Sequence, residues 1–264
     1  MNATTLPPLA LTLIGIGSGH PGHLTQQAAE AMRDADALLL PHKGEEKAAL
    51  LALRHSLCAA VLPPTGGPAL IDFDMPVRAS DGDYLAQVDA WHDAIARRWR
   101  SALADAQARG RLPRRALLRV ALLVWGDPSL YDSTLRIAAR LQPAPEQLRV
   151  VPGITALQAL TAAHAIALNE VGQPFMVTTG RQLRAQGWPP GVDTVAVLLD
   201  GECSFTTLAP EGLHIWWGAY LGMPMELLDS GPLAEAGPRI VQSRAQARKA
   251  QGWIMDIYLL RRRR

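Results

Sequence analysis

The chain of 264 residues predicts an α/β protein of two domains, the first built on a parallel sheet and the second on a mixed one. Three observations carry that expectation. Residues 11–16 form a continuous apolar run that ends among glycines, is followed by a helical stretch, and gives way to a second apolar run at 37–40. This is the grammar of a strand–helix–strand unit whose strands are covered on both faces. Two later runs, 117–125 and 148–151, also end at a sharp turn and restart as a helix, the first at Gly126-Asp127-Pro128 and the second at Pro152-Gly153. From Phe175 onward the strands at 175–179, 194–199, 213–220 and 253–260 follow one another with fewer helices between them, which suits a mixed sheet. The division is expected at 153/154, giving an N-terminal domain over 10–153 and a C-terminal one over 154–264.

Residues 1–9 carry two prolines and no pattern, so they read as a lead-in. Thr25 is placed to cap a helix whose packed face is expected to include Ala28, Ala29, Met32 and Ala35. A second helix over 45–57 repeats Leu50, Leu53 and Leu57. Proline and glycine then break the pattern at 62–68, and the acidic stretch 72–83 reads as an exposed loop. A long helix over 84–108 sets Leu85, Val88, Trp91, Ile95, Trp99 and Leu103 on one side, and a further helix is expected over 131–141.

Composition narrows the function classes. Apolar residues make up 48% of the chain and charged ones 19%, an ordinary globular balance. The net charge of +2 combines 23 Arg with only 3 Lys and forms no long basic stripe, so nucleic acid is not an expected partner. Cys58 and Cys203 are far apart and match no metal-binding spacing, so both read as buried thiols in a reducing compartment. His20 and His23 lack a third ligand nearby, and no metal is expected. The N-terminus has no basic leader, and its apolar run is interrupted by Thr12 and Gly15, so a cytoplasmic protein is expected.

The segment Gly17-Ser-Gly-His-Pro-Gly22 matches GxGxxG, which suggests a dinucleotide. The acidic residue expected after the second strand is missing, because Leu40 leads into Pro41-His42-Lys43. Glycines serving only a tight turn remain the alternative.

Taken together, Ile14-Gly-Ile-Gly-Ser-Gly-His-Pro-Gly-His-Leu-Thr25, the strand ending at Leu40, Trp125-Gly-Asp-Pro128 and Val150-Val-Pro-Gly-Ile-Thr-Ala156 resemble the tetrapyrrole methylase family. Segments 83–92, 169–175 and 216–224 narrow the resemblance to members acting on corrin precursors. The resemblance implies two α/β domains, S-adenosylmethionine in the cleft between them, and a homodimer. It also implies carbon methylation of the corrin precursor precorrin-5, with loss of an acetyl group as acetate. Cofactor contacts implied by motif are Trp125, Gly126, Asp127, Leu130, Thr155 and Ala156, with Asp200 and Gly231. Ser18 stands where the family usually has Pro, His20 where it has an acid, and Pro41-His42-Lys43 where it often has Tyr-Asp.

S-adenosylmethionine carries no phosphate, so its loops need close backbone approach and an apolar slot rather than an anion cradle. Transfer of a sulfonium methyl is an in-line displacement in which alignment is worth up to about 7–11 kcal/mol in reference systems. Release of acetate also needs water to attack a carbonyl, for which a base and an oxyanion stabiliser are expected. The candidates are His42 as base, Lys43 or Tyr131 as stabiliser, and Asp127 as a positioning group. A flat substrate rich in carboxylates calls for cations at its rim, for which Lys43, Lys47, Arg181 and Arg184 are candidates because they follow predicted strands; Gly17, Ser18 and His20 of the first loop are further substrate-binding candidates. Two other functions stay open: a sister tetrapyrrole methylase acting at another ring carbon, and a non-catalytic tetrapyrrole-binding module.

Overall fold

The computed structural model describes residues 6–44, 48–78 and 83–262. Two compact units divide the chain, one taking residues up to Gly17 and Pro21–Ile154, the other Ser18–His20 and everything from Thr155.

The first unit is a five-stranded parallel sheet in the order β3-β2-β4-β1-β5. Its strands are β1 (Leu9–Gly15), β2 (Ala37–His42), β3 (Ala69–Asp74), β4 (Leu118–Val124) and β5 (Leu148–Val151). The continuous apolar runs follow from burial on both faces. Leu11, Leu13, Leu39, Val120 and Leu122 point into one core, where they meet Ile95, Trp99 and Leu103 of α3 (Tyr84–Ala108) and Ile137 of α4 (Thr134–Ala139). Ile14, Leu38, Leu40, Ala121 and Leu123 point into the other, against Ala28, Ala31 and Met32 of α1 (Gln26–Asp34) and Leu57 and Cys58 of α2 (Ala48–Val61). Thr25 caps α1 by accepting from the Ala28 N–H at 3.0 Å. Ala31, rather than the expected Ala29, completes the buried face of that helix.

Register at the amino ends of β2 and β4 is held by one buried carboxylate. Asp36 accepts from the Arg119 backbone N–H at 2.9 Å and from its guanidinium at 2.9 Å, with Arg115 at 3.1 Å. Burial pushes this carboxyl up, but the Arg119 and Arg115 contacts outweigh it and hold it below the usual carboxylate range.

Two expectations need correction here. Residues 72–74, expected to begin the exposed loop over 72–83, belong instead to the strand Ala69–Asp74. As β3 it pairs only with β2 at the sheet's edge, so Asp72 and Asp74 alternate outward while Ile71 and Phe73 face the core. The helix expected over 131–141 is confined to Thr134–Ala139, because Tyr131 takes a left-handed φ of 49°. The start of the helix expected at residue 45 lies outside the described residues.

The second unit holds a mixed sheet in the order β6-β7-β10-β8-β9. These are β6 (Phe175–Thr179), β7 (Thr194–Leu198), β8 (Leu213–Ala219), β9 (Leu227–Pro232) and β10 (Asp256–Arg262). Only β6 and β7 run parallel; β10 is antiparallel to both β7 and β8, and β9 to β8. Helices α5 (Ala156–Ala163), α6 (Gly180–Gln186) and α7 (Leu233–Gln251) complete it. The sequence reading named neither β9, α6 nor α7; Gly237 and Pro238 inside α7 disguise its helical pattern. Cys203, expected to be buried, is only half-buried. No helix among the described residues is long and apolar enough to cross a membrane.

Candidate active site

Sheet order decides where the three glycine turns fall. Because β4, β1 and β5 are parallel neighbours, Gly126, Gly15–Gly17 and Gly153 leave the same carboxyl edge side by side. The connection after β1 runs through α1 on one face, while that after β4 runs through α4 on the other. Adjacent strands whose connections part in this way open a crevice at their carboxyl ends, the usual place for a ligand in an open α/β sheet.

The approach of these turns is as close as backbone allows. A Cβ on Gly15 would lie 2.5 Å from the Gly153 nitrogen, and one on Gly153 would lie 2.1 Å from the Gly126 oxygen. Gly17 and Gly126 exchange backbone hydrogen bonds, with the Gly126 N–H donating to the Gly17 oxygen at 2.8 Å. Asp127 fastens the third turn, its Oδ2 accepting from the Gly153 N–H at 2.9 Å and its Oδ1 from the Ser129 N–H at 2.8 Å and the Ser129 hydroxyl. Burial alone would raise this carboxyl, but these donors hold it below its ordinary value. Asp127 is therefore anionic at neutral pH and already committed to loop geometry.

Beside the turns, at the ends of β2 and β4, lies a cavity of about 210 Å³ lined by Lys43, Tyr131, Trp125, Arg54, Trp99 and Asp132 among others. It unites three of the expected residues: Lys43 and Tyr131 from the catalytic set and Trp125 from the cofactor set. Burial pushes the Tyr131 phenol up, so at neutral pH the group is a hydrogen-bond donor. Its left-handed backbone is a local strain of the kind that collects at functional positions.

His42 is not brought to this cavity. One residue along β2 reverses the side-chain direction, and His42 lines a second space of about 420 Å³ with Asp72, Asp74 and Arg98. There its Nδ1 meets Asp74 Oδ1 at 3.0 Å. Lys47 lies outside the described residues.

Leu130, half-buried, belongs to the turn that Asp127 opens, its N–H donating to the Asp127 carbonyl at 3.2 Å. The other expected residues belong to the second unit. Ser18 and exposed His20 flank Gly19, where a Cβ would lie 2.5 Å from the Met223 Cε. Thr155 opens α5 through a capping box with Gln158, its hydroxyl accepting from the Leu157 N–H at 3.1 Å, and Ala156 is the first residue of that helix. Gly231 lies in β9 opposite Ile215, with a φ of 154°.

Asp200 is buried and fully engaged. It accepts from the Tyr258 hydroxyl at 2.7 Å, the Ser204 N–H at 2.5 Å and hydroxyl at 2.8 Å, and the Glu202 N–H at 3.1 Å. These donors overcome the effect of burial and hold the carboxyl low. Arg184, expected at a substrate rim, instead pairs with Asp200 at 3.4 Å and donates to the Ser204 hydroxyl at 2.7 Å. Arg181, one turn before it on α6, is exposed.

Sequence reasoning missed Arg54. The signal was available, since Arg54 falls between Leu50 and Cys58 on the apolar stripe of α2 and is buried with them.

These features define a class, and the chain belongs to it: residues 10–237 match the tetrapyrrole (corrin/porphyrin) methylases. Within that class it is 43% identical over 256 residues to a precorrin-6A synthase (deacetylating) from Sinorhizobium sp., covering 96% of this chain and 95% of the relative. Among solved structures it is similar to a cobalamin synthesis related protein (CobF) from Corynebacterium diphtheriae, at 35% identity and a TM-score of 0.78, covering 97% of this chain and 99% of that one. A uroporphyrin-III C-methyltransferase from Thermus thermophilus shares the fold at 20% identity and a TM-score of 0.58, covering 97% and 93%.

Proposed function

We propose that this protein is an S-adenosylmethionine-dependent C-methyltransferase of corrin-ring biosynthesis that methylates precorrin-5 at ring carbon 1, releasing the acetyl group as acetate and giving precorrin-6A. The observation that carries the reading is the convergence of Gly15, Gly126 and Gly153, fastened by Asp127, at the carboxyl edge of a chain of this family.

The residues present fit the cofactor. The Gly153 N–H is already taken by the Asp127 carboxylate, whose negative charge beside the turns suits a phosphate-free ligand better than a dinucleotide pyrophosphate. The buried Trp125 Nε1 has no hydrogen-bond partner among the described residues. Trp125, Gly126, Asp127 and Leu130, with Thr155, Ala156, Asp200 and Gly231, are the residues proposed to hold it, Asp127 and Asp200 by shaping their loops. When bound, S-adenosylmethionine supplies an electrophilic methyl group on a sulfonium, so the protein's contribution to that step is alignment.

Acetate release asks more of the chain's own side chains. Lys43 and Tyr131 are cationic and protonated donors on one cavity, and we assign them to the oxyanion that forms when water attacks the acetyl carbonyl. His42, oriented by Asp74, holds a ring nitrogen free for a proton only in the neighbouring space. Gly17, Ser18, His20, Lys47, Arg181 and Arg184 are carried as substrate contacts, although the bonds of Arg184 to Asp200 and Ser204 favour a structural role. A homodimer and a cytoplasmic setting complete the reading; both cysteines being free suits a reducing compartment.

Thermal unfolding with S-adenosylhomocysteine tests the cofactor half. A ligand that binds the folded state alone stabilises it by about 2.7 kcal/mol at a hundred times its Kd. A raised midpoint with this ligand and none with NADH is expected; the opposite pattern would make the protein a dinucleotide enzyme, and no response to either would favour a tetrapyrrole-binding module.

A further inference from the structure

Arg54 is 3% exposed, yet among the described residues its only hydrogen bond runs from Nη1 to the Leu50 carbonyl of its own helix, at 3.3 Å. Its Nε is buried without a partner. Among the described residues no carboxylate lies within ion-pair distance of it. Burial lowers the group to about 10, with the more distant Asp132 acting against that, so the guanidinium is still charged at neutral pH. Nearby Cys58 cannot serve as its counter-ion, because burial pushes that thiol up to about 11. A buried charge without a partner is strongly unfavourable, and folds retain one where something else supplies the partner.

The surroundings indicate what that partner is. Arg54 lines the 210 Å³ cavity, with its guanidinium carbon 4.8 Å from the centre of the Trp125 ring. Two more donors on the same lining are buried and unpaired, the Nε1–H of Trp125 and that of Trp99. Indole and guanidinium nitrogens donate and never accept, so the missing partner is an acceptor. Much of the remaining wall is aliphatic or aromatic, including Leu39, Ile95, Leu122 and Ile137. One guanidinium without an ion-pair partner is answered by one negative charge, which fits a monoanion better than a dianion. A planar carboxylate takes two parallel hydrogen bonds from a guanidinium edge.

We propose that the cavity bounded by Arg54, Trp99 and Trp125 is a binding site for a short aliphatic monocarboxylate of the size of acetate. The site stands on these observations alone. Its meaning for catalysis rests on the function proposed above: there the ligand is the acetate set free, or a carboxylate arm of the ring, and Arg54 holds it beside Lys43 and Tyr131.

The test uses the purified full chain without cofactor or tetrapyrrole, so its outcome is independent of whether methyl transfer is the correct reaction. Sodium acetate is titrated at constant ionic strength while tryptophan fluorescence and the thermal midpoint are followed, with acetamide as the uncharged control. Expected are a saturable fluorescence change and a raised midpoint with acetate and neither with acetamide. Arg54→Met should weaken acetate binding about tenfold or more, as loss of a charge-assisted pair does. In acetate-free buffer the same variant should unfold at a higher temperature than the parent, because an unpaired buried charge has gone; a purely structural arginine would give the reverse. Should Arg54→Met not fold, Arg54→Lys, which keeps the charge but loses the planar bidentate edge, should still weaken the acetate response. An acetate response absent in the parent, equal with acetamide, or unchanged in these variants overturns the proposal. Repeating the titration with a carboxylated porphyrin bound separates the sources: acetate that still binds identifies the free acid, and acetate that is displaced identifies a ring carboxylate, the site standing in both cases.

Discussion

At the scale of single residues, the carboxylates that shape this protein are held in their charged form by hydrogen bonds rather than by solvent. Asp36, Asp127 and Asp200 all lie below the usual carboxylate range. A carboxyl lowered in the folded state adds stability that is complete above its unfolded value of about 3.9 and is lost as pH falls through the folded value. These carboxylates are therefore expected to make stability to urea decline below about pH 4, after an earlier loss as pH falls through about 6.5, where the His92 imidazole, lowered by burial, resists protonation in the folded state. Asp200→Asn should lower stability at neutral pH and flatten that decline; an acid profile unchanged by the substitution would show that the Tyr258 and Ser204 bonds do not carry it. A second residue-scale expectation concerns acetate release. Lys43 shares its cavity with Tyr131 and His42 does not, so Lys43→Ala should slow acetate release by about a hundredfold or more, as loss of an oxyanion donor does. His42→Ala should leave release nearer the parent rate. A larger loss in His42→Ala, measured by acetate appearance under saturating substrate, would return the base to His42.

At the scale of elements, the strand ends decide the site, and glycine is needed where strands β1 and β5 emerge. Gly15 has ordinary backbone angles; what forbids a side chain there is the Gly153 backbone. Gly15→Ala is expected to cost about 1–3 kcal/mol or more, the penalty of forcing extra volume into a packed region. Gly201→Ala, where a Cβ meets nothing within 4 Å, should be close to neutral. Equal stability of the two variants in urea would contradict the packed junction. The same elements show what periodicity can and cannot reveal. The strand Leu148–Val151, an apolar run stopped by Pro152-Gly153, and the long amphipathic helix Tyr84–Ala108 were legible with these bounds. β3 was not, since an edge strand with Asp72 and Asp74 turned outward has the composition of a loop. Nor was α7, because local propensity counts Gly237 and Pro238 against a helix that its packing against β8 and β9 sustains.

At the scale of the molecule, the split between a parallel sheet and a mixed one was legible from the change of grammar near Phe175. The order β3-β2-β4-β1-β5 was not, because no local pattern records which parallel strands become neighbours. That order is nevertheless what turns three separate glycine motifs into one junction: the motifs, and the expectation that their three loops share one site, were readable, whereas the backbone contacts between them needed coordinates. Arg54 illustrates the remaining gap: its position on an apolar stripe was visible, whereas its lack of a partner beside Trp99 and Trp125 needed coordinates.

The central claim is that one chain both methylates a corrin precursor and expels acetate. The most direct measurement supplies precorrin-5 and methyl-labelled S-adenosylmethionine to the purified protein and follows labelled corrinoid and free acetate together. The account predicts that both appear at the same rate, one acetate for each methyl transferred. Label without acetate would contradict the deacetylating assignment and make the protein a methylase of another ring carbon, and the absence of both would contradict the enzymatic reading itself.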